Sequence, residues 1–192
     1  MRILVWRTLS VLLLLFAVGC APGLGASLRV PAITEEEVTP FSHSTGEIRV
    51  NVGKFQDMRQ PHFIGDVNGR LLEADGDVGL TVQTGFERLF SAAGARLALF
   101  NSPSIVGDVN KWYVKVNTGF PTSKAMAEAD ITVSVFDRDS RRVYTATYTG
   151  QTSYEHPVLS QSRIQKALVA AIGYAMRQAL ADERLLENLR SY

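Results

Sequence analysis

The stretch IQKALVAAIGYAMRQAL, residues 164–180, decides the fold class. Ile164, Leu168, Ile172, Met176 and Leu180 recur every four residues, flanked by Ala167, Ala171, Ala175 and Ala179. Such a period marks an amphipathic helix, and its small-residue shoulder suits close packing against a sheet. Pro157 stops the preceding strand, and Ser160 or Ser162 is positioned to cap the helix. Asp182 then opens a short terminal helix carrying Leu185, Leu186 and Leu189.

Working back from this helix, Arg142 to Thr152 alternates Tyr144, Ala146 and Tyr148 with Val143, Thr145 and Thr147. Ile131, Val133 and Val135 alternate in the same way, and Asp137-Arg138-Asp139-Ser140 between the two runs is a turn by composition. The short connection predicts an antiparallel hairpin. Lys111 to Asn117 and Arg96 to Phe100 read as two more strands, and Ile48, Val50 and Val52 mark a first one. Asp77 starts a helix with Val82, Phe86, Leu89, Phe90 and Ala93 on one face, ended by Gly94. Lys54 to Gly76 is polar and glycine-rich, with room for a short hairpin whose strands its pattern does not place. The predicted fold is α+β: a mostly antiparallel sheet of about five strands, two main helices packed on one face, and a short C-terminal helix.

The N-terminus has a different character. Arg2 and Arg7 precede an apolar run from Leu9 to Val18, followed by Gly19 and Cys20, the only cysteine of the 192 residues. This is the plan of a secretory signal peptide, too short for the ~20 apolar residues of a spanning helix. Ala17-Val18-Gly19-Cys20 resembles a bacterial lipobox, which implies cleavage before Cys20 and lipidation of its thiol. The domain expectation is a signal peptide over 1–19, a lipidated Cys20 with a flexible tether over 20–46, and one periplasmic domain over 47–192. As a flexible coil, the tether would have a root-mean-square span of roughly 25–30 Å. Ala21 in place of Asp after the cysteine points by that resemblance to the periplasmic face of the outer membrane.

Without its signal segment the chain keeps 18 basic against 19 acidic residues, a balance that speaks against nucleic acid as a partner. His43, His62 and His156 lie far apart in sequence, with no metal-ligand spacing on a helix. No nucleophile elbow or phosphate loop is present, and Gly65-Asp66-Val67-Asn68-Gly69-Arg70 reads as a turn. No catalytic, cofactor-binding or metal-binding residue is therefore assigned. Asp57 and Arg59, two apart in extended backbone, point the same way and suit a bidentate ion pair. Their candidate roles are contact with a partner's charged group or a local pair fixing the loop. Trp112, Tyr113 and Phe120 are candidates for core or interface.

Three stretches together resemble the uncharacterised periplasmic lipoproteins of YajG type. They are Thr39-Pro40 with Asp57-x-Arg59 and Ile64-Gly65, the strand Ala127-Glu128-Ala129-Asp130-Ile131-Thr132-Val133 with Tyr144-x-Ala146-x-Tyr148, and the closing helix with Asp182 and Leu185 to Leu189. The resemblance implies a compact α+β domain without an established enzymatic activity. The expected function is non-enzymatic: an outer-membrane-anchored lipoprotein, held to the membrane by its lipid, that binds or scaffolds another envelope protein. The alternative is a binding module for a lipid or other small apolar ligand held between helix and sheet.

Overall fold

A computed structural model describes residues 27–34, 36, 45 and 48–191. Cys20, the signal segment and most of the expected tether lie outside the described residues. The strands are β1 (Ser27–Arg29), β2 (Arg49–Asp57), β3 (Phe63–Val67), β4 (Arg70–Asp75), β5 (Arg96–Leu97), β6 (Ser104–Asn117), β7 (Ser123–Phe136) and β8 (Arg142–His156). The helices are α1 (Val78–Ala92), α2 (Gln161–Ala181) and α3 (Glu183–Arg190).

The expected five-stranded, mostly antiparallel sheet is corrected: among the described residues the sheet is mixed and has eight strands. Four of its pairings are parallel (β1 with β4, β2 with β5, and β6 with both β2 and β3). Antiparallel pairing joins β3 to β4, β6 to β7 and β7 to β8. The reason lies in β6, which is twice the length its alternation suggests. One edge of β6 receives β2 along its first half, with Asn51 opposite Ser104, and β3 along its second, with Gly65 opposite Val114. Its other edge pairs with β7 over its whole length. A register shift between Val109 and Lys111 changes the parity of the inward-facing residues. Ile105 and Val109 face inward before it, and Trp112, Val114 and Val116 after it. A bulge of this kind breaks a period-2 pattern in mid-strand.

The stretch Lys54 to Gly76 holds the end of β2 and a hairpin of β3 and β4. Its turn, Asn68-Gly69, has both residues at positive φ (53° and 86°), the geometry of the two-residue turn that matches strand twist. The tether expectation also changes. Ser27–Arg29 pairs with β4, and Leu28 and Ile33 are buried in the core.

Helices α1 and α2 lie against the sheet. Asp77 caps α1, its Oδ1 accepting from Leu80 N at 2.9 Å, and Gly94 follows the helix at φ 88°. Phe86 of α1 stacks on Phe55 of β2 with centroids 4.9 Å apart. Ile164, Leu168, Ile172 and Met176 of α2 are fully buried, each worth about 1.5–3 kcal/mol of apolar burial. Ser160 stands at the N-cap of α2 without a side-chain bond to a helix N–H; its Oγ instead lies 2.9 Å from Ser162 Oγ. No helix among the described residues is long and apolar enough to cross a membrane.

Candidate functional site

Asp57 ends β2, and Arg59 follows in the loop that leads to β3. Arg59 Nε donates to Asp57 Oδ1 at 2.7 Å and a terminal nitrogen donates to Oδ2 at 2.8 Å, a bidentate pair. The other terminal nitrogen donates to the carbonyl oxygens of Trp112 (3.3 Å) and Phe63 (3.4 Å). Arg59 is only 3% exposed, so its charge is spent inside the chain, stitching the loop to β6. Burial pushes the Asp57 carboxyl up, but the hydrogen bond and charge of Arg59 outweigh it and hold the group below its ordinary value. His62 Nδ1 stands 3.7 Å from the same carboxylate at the surface. Beside the pair is an open cleft of about 300 Å³ lined by Pro61, Phe63, Leu71, Lys111 and Tyr113.

A second polar cluster joins β8 to the chain end. Tyr144 and Tyr148 both donate to Asp182 Oδ2, at 2.6 and 2.7 Å. Asp182 Oδ1 caps α3, accepting from Arg184 N at 3.0 Å and Leu185 N at 3.4 Å. Burial raises the Asp182 carboxyl, yet these four donors outweigh it and its pKa falls below the ordinary value. Burial and the nearby carboxylate push Tyr148 up. Sequence reading took Asp182 as a helix start and Tyr144 and Tyr148 as one strand face, without joining them across 38 and 34 residues.

The sign of the resulting pH dependence follows from linkage. A carboxylate whose pKa is lower in the folded state adds stability that is complete above its unfolded value of about 3.9. That stability is lost as pH falls through the lower folded value. Asp182→Asn, which keeps a capping side chain but removes the charge, is expected to cost about 1–2 kcal/mol at neutral pH. In thermal melts from neutral to acid pH, the gap between wild type and variant should close below about pH 4. A gap independent of pH would mean the tyrosine hydroxyls do not hold the ionised form.

The aromatic candidates divide. Trp112 is fully buried and its Nε1 donates to Leu168 O at 2.9 Å, tying β6 to α2. Tyr113 is half-buried in the cleft wall, and Phe120 is 99% exposed in the β6–β7 connection. Residues 96–100, read as a strand, form only the two-residue β5, a sheet edge. Leu97, Leu99 and Phe100 are exposed there, Leu99 and Phe100 by 77% and 81%. Across the sheet surface, Thr132–Thr147 and Ser134–Thr145 hydroxyl pairs (each 2.9 Å) make an exposed polar face. Among the described residues no three His, Cys, Asp or Glu side chains are grouped to hold a metal ion.

A family model described as "Uncharacterized lipoprotein" (Lipoprotein_16) matches residues 38–190. The chain belongs to this lipoprotein family. Membership makes it a lipid-anchored envelope protein. The lipoprotein shares its fold with protein XCC0632 from Xanthomonas campestris at 13% identity and a TM-score of 0.53, covering 85% of this chain and 94% of that one. A minor lipoprotein from Acinetobacter baumannii aligns at 15% identity and a TM-score of 0.42, over 70% of this chain and 94% of its own. No curated protein matches the lipoprotein.

Proposed function

We propose that this lipoprotein, of YajG type, is anchored through Cys20 on the periplasmic face of the outer membrane and docks another envelope protein without catalysing a reaction. The observation that carries the reading is the exposed apolar edge at β5. Natural sheet edges are blunted by charge, proline or cover, and apolar side chains left on one favour association with another chain. Here Leu97 of the short edge strand and Leu99 and Phe100 just beyond its end are exposed, with Arg96 beside them as a polar rim. The reading of a small apolar ligand between helix and sheet finds less support. At Gly150 the α2 backbone lies so close that an added Cβ would stand 1.9 Å from Ala171 O.

Photo-crosslinking in intact cells tests the docking. A photoreactive residue at Phe100 is expected to give an adduct with a discrete envelope protein, and one at Thr147 on the hydroxyl-lined face is not. Equal adducts from both positions, or none from Phe100, would remove the edge as the docking surface.

A further inference from the structure

The first strand shows which end of the sheet its own N-terminus faces. β1 runs parallel to β4, with Ser27 opposite Glu73, and β4 starts at Arg70 directly after the Asn68-Gly69 turn. The axis of β1, prolonged toward the N-terminus, therefore points to the end of the sheet where that turn lies. Two more connections share this end. Thr118 N donates to Asn68 Oδ1 at 2.9 Å, which joins the turn to the β6–β7 connection. Ser123 pairs with His156, which sets the β8–α2 connection alongside. This end presents Phe120, 99% exposed, and Val158, 70% exposed, with Arg70 and Arg163 exposed near them.

We infer that these three connections rest on the lipid surface, with Phe120 and Val158 seated in the interface. The inference rests on the proposed anchorage at Cys20. Seven residue steps separate Cys20 from Ser27, and a fully extended chain covers about 25 Å over them. The sheet overhangs Ser27 by a similar distance. Ser27 is opposite Glu73, and Arg70, three residues nearer the turn, pairs with Val67, which lies opposite Val116. Phe120 lies in the connection that follows Asn117, four residues after Val116, so at 3.3 Å per residue it stands at most about 23 Å past the level of Ser27. With the linking residues stretched along the strand axis, Phe120 reaches the bilayer where Cys20 does. Exposed Phe120 and Val158, with Arg163 donating to Val158 O at 2.9 Å, match the chemistry of that boundary, apolar below and anionic above. Phe100, before the start of the 14-residue β6, is about 45 Å away at the opposite end and faces away from the bilayer.

Tryptophan fluorescence in vesicles tests the orientation. From Cys20 onward the only native tryptophan is Trp112, which is buried. Phe120→Trp and Phe100→Trp, each expressed with the full chain and purified from membranes, are reconstituted in phosphatidylethanolamine–phosphatidylglycerol vesicles containing brominated acyl chains. Emission from Phe120→Trp is expected to shift to the blue and to be quenched several-fold more than emission from Phe100→Trp. Equal quenching, or stronger quenching of Phe100→Trp, overturns the inference. A parallel preparation, the chain from Cys20 onward coupled through its thiol to a maleimide lipid, removes dependence on cellular lipidation. Quenching there at Phe120→Trp, with no palmitate label on the protein made in cells, would refute the native anchor and leave the orientation standing. Loss of the selective quenching in the coupled chain would refute the orientation itself.

Discussion

Gly150→Val is expected to lower the stability of the domain by more than 3 kcal/mol or to prevent folding altogether, with thermal unfolding of the purified protein as the measurement. Gly150 lies in β8 beneath α2. A Cβ there would stand 1.9 Å from Ala171 O, 2.8 Å from Ala175 N and 3.0 Å from Ala171 C. All three are backbone atoms of α2, so no side-chain rotation relieves the overlap. The helix would have to lift from the sheet along the face that buries Leu168, Ile172 and Met176 and would strain the Trp112–Leu168 hydrogen bond. Overpacking a core costs typically 1–3 kcal/mol where side chains can adjust, and a rigid helix backbone raises that cost. An unchanged melting temperature would show that α2 does not lie this close to β8.

The same contact shows what could be read in advance. The row Ala167, Ala171, Ala175 and Ala179 signals a helix face built for close approach, because a helix presents every fourth residue to one neighbour. The glycine that receives it is invisible, since a glycine in an alternating strand carries no sign of what stands above it. Both long helices are legible because their period runs unbroken from cap to cap. The sheet is legible only where alternation is unbroken, as in β7 and β8. In β6 the shift after Val109 moves the inward residues from odd to even numbers, so half of the strand reads as loop. The hairpin of β3 and β4 carries a strong signal in Asn68-Gly69, but Gly65 interrupts the apolar run of β3. Gly65 serves packing there, since an added Cβ would stand 2.9 Å from a Val114 methyl. The parallel pairings depend on partners remote in sequence, which no local pattern encodes.

The site residues divide along the same line. Asp57 and Arg59 are two apart, so their pairing can be read from strand geometry, and the bond lengths agree with a bidentate pair. What the sequence leaves open is that Arg59 also binds two backbone carbonyls from inside the fold. Leu99 and Phe100 mislead for the opposite reason. Apolar residues after Arg96 suggest a core strand, but pairing with β2 stops at Leu97 and leaves both side chains in solvent. Exposure of this kind is settled by where the neighbouring strand ends.

The second large effect expected is on function without loss of the fold. Leu99→Asp with Phe100→Asp places two carboxylates on side chains already 77% and 81% exposed, so the melting temperature should stay close to that of wild type. At a docked interface the same carboxylates would be stripped of water without partners, a cost of several kcal/mol and hundreds-fold or more in affinity. Replacing His43, His62 and His156 together removes the residues best suited to acid–base chemistry near neutral pH in a chain whose one cysteine is the expected anchor. His62 is exposed beside Asp57, and His156, half-buried at the end of β8, is bonded by Val158 and Arg163. His43 lies outside the described residues.

Complementation of a deletion strain by these two variants, at matched membrane levels, is the most direct measurement of the account's central claim. A docking lipoprotein predicts that the Leu99→Asp and Phe100→Asp double variant behaves like the deletion, whereas the triple histidine variant restores the wild-type phenotype. A triple histidine variant that folds normally yet behaves like the deletion, beside a double variant that complements, would contradict it and return the protein to the enzymes.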